Sequence, residues 1–169
     1  FENTDLNVMV EDVMSDFDEI LQERKATIKI SNLCEIPVIR VQFRQVIQNL
    51  ISNSLKFSKA QTPLQIQIKS EIAQRPKINS KTPTSKIKYC HITYTDNGIG
   101  YDPQYNERIF EVFQRLHSQE QYAGTGIGLA ICKRIIENHD GTITASGKIG
   151  KGATFDIFIP IQLPQVKIK

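Results

Sequence analysis

From Val41 to Ser58 the chain reads VQFRQVIQNLISNSLKFS. Phe43, Val46, Ile47, Leu50 and Ile51 stand at i, i+3, i+4, i+7 and i+8, the stripe of a helix laid on a core. Directly after it, LQIQIKSEI alternates through Leu64, Ile66 and Ile68, the period of a half-buried strand. A long amphipathic helix followed by such a strand calls for layers, with a sheet that offers one face to helices.

The remaining segments extend that plan. LNVMVEDVMSDFDEILQERKA is a first helix, with Val8, Val13, Phe17, Ile20 and Leu21 near helical spacing. ATIKIS alternates as a strand, and IPVIRV is a short one whose Pro37 suits an edge. IKYCHITYTD resumes as a strand and is expected to pair with LQIQIKSEI. Their connection is a polar, basic loop over 74–86, broken by Pro76 and Pro83. GTGIGLAICKRIIENHD leads glycines into a third helix, and GTITASGKIGKGATFDIFIP is a closing hairpin. The order predicts one α+β domain over 1–169. It is a two-layer α/β sandwich, with a mixed, mostly antiparallel sheet and three main helices on one face. Residues 1–7 read as the end of a linker from an upstream element, and 161–169 as a frayed tail. With no initiator methionine, Phe1 is expected to lie inside a longer chain.

Charge and composition remove several classes of function. A net charge of +3 over 169 residues leaves no dense basic stripe for nucleic acid. No apolar run approaches the roughly 20 residues of a membrane span. Cys34, Cys90 and Cys132 form no CxxC pair, so they read as small buried apolar residues in a reducing compartment.

Three short motifs carry chemistry. On the second helix, Asn49, Asn53 and Lys56 fall within about 60° of arc beside the apolar stripe. Asparagine is a poor helix-interior residue, so a polar ligand on that flank would explain the pair. An amide capping a loop and a snorkelling lysine would give the same pattern. Asp96-Asn97-Gly98-Ile99-Gly100 follows a strand. Glycine there permits a sharp turn and close approach of a ligand, while a carboxylate at a strand end can accept from an amino group. The same residues suit a plain turn. Gly124-Thr125-Gly126-Ile127-Gly128-Leu129 precedes a helix whose N-terminus offers free N–H groups to an anion. It fits neither the dinucleotide fingerprint nor a Walker A loop.

Taken together and in this order, the motifs resemble the ATP-binding domain of sensor histidine kinases, within the superfamily that includes gyrase, Hsp90 and MutL. NLISNSLKFS looks like the N box, DNGIG the G1 box, IFEVFQRLH the F box and GTGIGLAICKRIIENHDG the G2 box. The resemblance implies ATP and Mg²⁺ as ligands, with Asn53 on the metal and Asn49 and Lys56 toward the phosphates. It implies Phe57 against the adenine, Asp96 accepting from its amino group and Thr154 supporting that carboxylate. Gly98 and Gly100 would pass the base, with Ile99 in apolar contact. Gly124, Gly126, Gly128 and Leu129 would form the end of a nucleotide lid over 104–124 and the helix start above the phosphates. Arg115 would reach the γ-phosphate. Ser54 stands where the family often has alanine, and the 74–86 loop is longer than a minimal connection.

The hydrolysing relatives carry a glutamate base where this chain has Asn49, and an amide cannot take that proton. The resemblance therefore implies a histidine kinase catalytic domain. Its phosphoacceptor would sit on a separate upstream dimerisation domain, with a response regulator as the next acceptor. The expected parent is a homodimer working in the cytoplasm, membrane-anchored or not, and the fragment a monomer. A non-catalytic module of the same fold and a gyrase-type ATPase are the rival readings. His91, His117 and His139 match no phosphoacceptor motif and read as structural or surface residues.

Overall fold

The computed structural model describes residues 1–74, 87–112 and 126–162. Strand β1 (Glu2–Asp5) leads into helices α1 (Leu6–Asp16) and α2 (Asp18–Glu23), then β2 (Thr27–Ser31) and β3 (Glu35–Val38). Helix α3 (Arg40–Lys56) follows, then β4 (Gln65–Gln74) and β5 (Lys88–Asp96). Two short 3-10 turns at Pro103–Tyr105 and Arg108–Phe110 precede α4 (Gly128–Asn138), β6 (Thr142–Lys148) and β7 (Gly152–Pro160).

The main sheet has the order β2-β4-β5-β7-β6. Its pairs are antiparallel except β2 with β4, which run parallel. A parallel pair needs a crossover, and α3 lies within that connection. Period-2 alternation sorts the strands into two faces. Ile66 and Ile68, Cys90, Ile92 and Tyr94, and Phe155, Ile157 and Ile159 are buried on one side. Against them pack Phe43, Val46, Ile47, Leu50 and Ile51 of α3, Cys132, Ile135 and Ile136 of α4, and Met9, Val10 and Val13 of α1. Each such side chain contributes about 1.5–3 kcal/mol when fully buried. The expected two-layer architecture is therefore the observed one.

One detail differs from the expectations, and the N-terminal segment adds two more features. The first helix breaks at Phe17, and its buried residues are Leu6, Met9, Val10 and Val13, while Val8 is exposed. Within residues 1–7, Glu2–Asp5 form a strand. β1 pairs antiparallel with β3, and Leu6 N donates to Cys34 O at 3.3 Å. Pro37 sits opposite Asn3 in that two-stranded sheet, a location that spares the main ladder its missing N–H.

His139 ties this corner together. It is 2% exposed, its Nδ1 lies 2.7 Å from Ile135 O and its Nε2 accepts from Ile39 N at 2.9 Å. That pairing uses the Nδ1–H tautomer and serves structure.

Candidate functional site

Asp96 ends β5 on the helix-covered face, 9% exposed. Its Oδ1 accepts from Gly98 N at 3.0 Å and from Ala153 N at 3.2 Å, and its Oδ2 accepts from Ser54 Oγ at 2.6 Å. Ser54 Oγ also lies 2.8 Å from the Tyr94 hydroxyl. A carboxylate has about four acceptor sites, so these three bonds leave about one for a ligand donor. Burial without a cationic partner among the described residues makes that site selective, because a group that fails to donate leaves it unpaired.

The backbone around Asp96 is drawn tight by glycines. Ile99 N donates to Phe57 O at 2.9 Å, and Gly150 N donates to Ile99 O at 2.8 Å. These bonds join the end of α3, the turn after β5 and the β6–β7 turn. A Cβ on Gly98 would come within 2.7 Å of Phe57 O. Gly100, at φ +65°, would place a Cβ 1.9 Å from Lys148 O. Gly152, at φ +94°, would place one 1.9 Å from Asp96 O. Asn97 is a strut: it accepts from Gln65 N at 2.7 Å and donates to Pro63 O at 3.1 Å.

On α3 the polar trio separates by role. Asn49 Nδ2 donates to Gly128 O at 3.2 Å and so bridges α3 to the first turn of α4. Asn53 is half-buried, and its carboxamide has no hydrogen bond among the described residues. Lys56 Nζ lies 5.2 Å from the centre of the Phe57 ring, beside the same turn. α4 begins at Gly128 with no side-chain cap, so its first-turn N–H groups are available to an anion. Gly126 precedes it at φ +73°, a conformation glycine adopts at no steric cost. Leu129 is half-buried against the core. Gly124 and Arg115, with most of the expected lid, lie outside the described residues.

Thr154 makes no direct hydrogen bond to the Asp96 carboxylate among the described residues. Cross-strand partners share a face, and Asp96 pairs with Ala153 while Thr154 pairs with Thr95. Thr154 Oγ1 lies 3.3 Å from Thr95 Oγ1, and both line a cavity of about 260 Å³ together with Asp96, Ser146, Lys148 and Lys151. Direct support for Asp96 comes from the Ala153 backbone and from Ser54. The signal for Ser54 was present: a hydroxyl three and four residues after Ile51 and Leu50 falls on the core stripe, where it requires a partner.

Tyr101 is a further neighbour that sequence reading missed. Its ring lies over Gly147, where a Cβ would approach within 2.5 Å. Its hydroxyl is buried without a hydrogen bond among the described residues. Burial first, and then the Asp96 charge, push its pKa up to about 12.

Mg²⁺ takes hard oxygen ligands and keeps several waters, so it needs few protein ligands when phosphates complete its shell. The free Asn53 carboxamide fits that demand. Among the described residues no cluster of three or more His, Cys, Asp or Glu offers an all-protein cage.

Residues 39–163 match the family described as "Histidine kinase-, DNA gyrase B-, and HSP90-like ATPase". Over 158 residues the chain is 37% identical to phytochrome-like protein Cph1 of Synechocystis sp., covering 94% of this chain and 19% of that protein. The chain thus spans about a fifth of the curated relatives it matches first. Full-length ShkA solved in complex with AMPPNP superposes with a TM-score of 0.72 at 23% identity, over 96% of this chain and 31% of that one. Histidine kinase ThkA solved in complex with response regulator protein TrrA gives 0.69 at 22% identity, over 96% and 42%.

Proposed function

The chain belongs to the histidine kinase-, DNA gyrase B- and HSP90-like ATPase family, and on that premise we propose that it binds Mg²⁺–ATP and presents the γ-phosphoryl group to a histidine on a separate dimerisation domain. A response regulator then receives that group. The observation that carries the reading is Asp96, a buried carboxylate with about one acceptor site left. The exocyclic amine of adenine is the donor it suits.

The other residues follow from that pose. Gly98 lets the base lie close to the backbone, with Ile99 and Phe57 in apolar contact. The triphosphate runs toward the uncapped start of α4, Gly126 and Gly128, with Lys56 as a point charge. Asn53 supplies an oxygen to the Mg²⁺, which neutralises phosphate charge when bound. Gly124 and Arg115 complete the lid and the γ-phosphate contact in this reading. The chain's own contribution is positioning and electrostatics rather than proton transfer. Asn49 supports the kinase reading over hydrolysis, since its amide is engaged with Gly128 O and is no base.

The relatives named sensor kinases and the ThkA–TrrA complex support a two-component partner, and the AMPPNP complex of ShkA supports nucleotide binding. Among the described residues no helix is long and apolar enough to cross a membrane. We assign the domain to the cytoplasm, as a monomer that works in a homodimeric parent.

The test mixes this chain with a separately prepared dimerisation domain of the parent and γ-labelled ATP. Label on the histidine, dependent on Mg²⁺ and weakened by Asn53→Ala, is the expected result. Rapid steady ATP turnover by this chain alone, or no nucleotide binding by calorimetry, would overturn it.

A further inference from the structure

The three cysteines are far apart in sequence, yet two of them meet. Cys34 lies between β2 and β3, half-exposed, and Cys90 lies on β5, wholly buried. Ser70 pairs with Ile92 and Ile72 with Cys90, so Cys90 stands diagonally beside Ser70 on the same face of the sheet. Ser70 of β4 stands between the segments. Its Oγ accepts from Cys34 N at 2.8 Å and donates to Cys34 Sγ at 3.1 Å. One turn segment and two neighbouring strands therefore converge on a dithiol with a hydroxyl beside it.

We propose that Cys34 and Cys90 are a redox modification site, closing a reversible disulfide when the protein meets a hydroperoxide. The order of events follows from exposure. Cys34 is the more exposed of the two residues, so its sulfur is the one that attacks the peroxide. The O–O bond breaks, the Cys34 sulfur becomes a sulfenic acid and one water (or alcohol) leaves. Cys90 sulfur then attacks the Cys34 sulfur, an S–S bond forms, and the sulfenic oxygen leaves as a second water with the Cys90 proton. Two thiols and one peroxide give one disulfide and two waters for hydrogen peroxide.

Ser70 Oγ can stabilise negative charge on the Cys34 sulfur by the bond it already donates. Burial first, and then the Cys34 thiol, push the Cys90 thiol above its ordinary range. The second step still needs the Cys90 proton removed and quickens with rising pH.

The site is separate from the nucleotide pocket. Cys90 and Asp96 are six residues apart on β5, about 20 Å at strand rise. The bond would staple the β2–β3 segment, which accepts Leu6 N at the start of α1, to the central strand. Its geometry asks for a Cα separation of about 4.4–6.8 Å. Disulfides of this kind in reducing compartments are transient and redox-sensing.

The experiment treats the folded chain with hydrogen peroxide at pH 7 and pH 8.5, quenches, and alkylates in denaturant. The expected result is loss of two hydrogens from the intact mass and a fall from three alkylatable thiols to one. A peptide linking Cys34 to Cys90 should appear, faster at the higher pH and reversed by dithiothreitol. Cys132→Ser should keep the crosslink, while Cys34→Ser and Cys90→Ala should each abolish it. Circular dichroism checks that each variant is folded, and the half-exposed Cys34 position keeps the test intact if Cys90→Ala unfolds. Three free thiols after treatment, stable sulfinic acid on Cys34 without a crosslink, or bonds only between molecules would each overturn the proposal.

Discussion

Asp96→Asn isolates the carboxylate from the shape of its pocket. The two residues are nearly isosteric, and the surroundings state what Asn must do. Its carbonyl can take the place of Oδ1 and accept from Gly98 N and Ala153 N. Its NH₂ then faces Ser54 Oγ, which can turn its proton to Tyr94 and become an acceptor. The fold should therefore lose only about 1 kcal/mol, the scale of a net hydrogen bond. Ligand binding has no such escape. The acceptor left on Oδ2 becomes a donor, set against the donor amine of adenine. A hydrogen bond to a charged group is worth about 1.5–3 kcal/mol, and 1.4 kcal/mol is tenfold, so affinity should fall by about 10- to 150-fold. Calorimetry with an ATP analogue and Mg²⁺ measures it, with circular dichroism to confirm the fold. A purine nucleotide carrying a 6-oxo group should lose less or gain, since it accepts where adenine donates. Unchanged affinity for the adenine nucleotide in a folded variant would refute the assignment of Asp96.

Three further outcomes test the surrounding structure. Ser54→Ala removes a donor from Asp96 and leaves the buried Tyr94 hydroxyl short of a partner, and should cost about 1–3 kcal/mol in urea unfolding. Gly152→Ala and Gly150→Ala both place a side chain at positive φ, +94° and +76°. Only the first drives a Cβ to 1.9 Å of Asp96 O, while the second meets nothing within 4 Å. Gly150→Ala should therefore cost about 1–2 kcal/mol, the left-handed penalty, and Gly152→Ala distinctly more, with loss of nucleotide binding. Tyr101 gives a pH signature, because its folded pKa of about 12 exceeds the ordinary 10.0. The unfolded chain loses that proton first, so the contribution is whole below pH 10 and fades as pH rises toward 12. Thermal melts from pH 9 to 12 should fall less steeply for Tyr101→Phe. An identical slope would separate Tyr101 from that loss.

Much of the architecture was legible because it rests on periodicity. The 3.6 repeat of Phe43, Val46, Leu50 and Ile51 and the 2.0 repeat of Ile66 and Ile68 name the buried faces before any contact is known. The turn after β5 was legible because Asp-Asn-Gly chemistry is local. What periodicity cannot supply is which faces meet. The place of Thr154 in a motif does not tell that Ala153, not Thr154, pairs with Asp96, because register alone decides which residue stands opposite. Strand β1 was not legible for a related reason, since it exists only through its pairing with β3. Asn49 was legible as a polar residue that is not a base, while its bond to Gly128 O needed α4 laid beside α3. Cys34 and Cys90 read as unrelated apolar positions, and only the strand register and the β2–β3 turn bring Cys34 onto Ser70 with Cys90 diagonally beside it. Local chemistry and repeat length are written along the chain, whereas the partners of a buried polar group are set by strand register and helix packing between residues far apart in it.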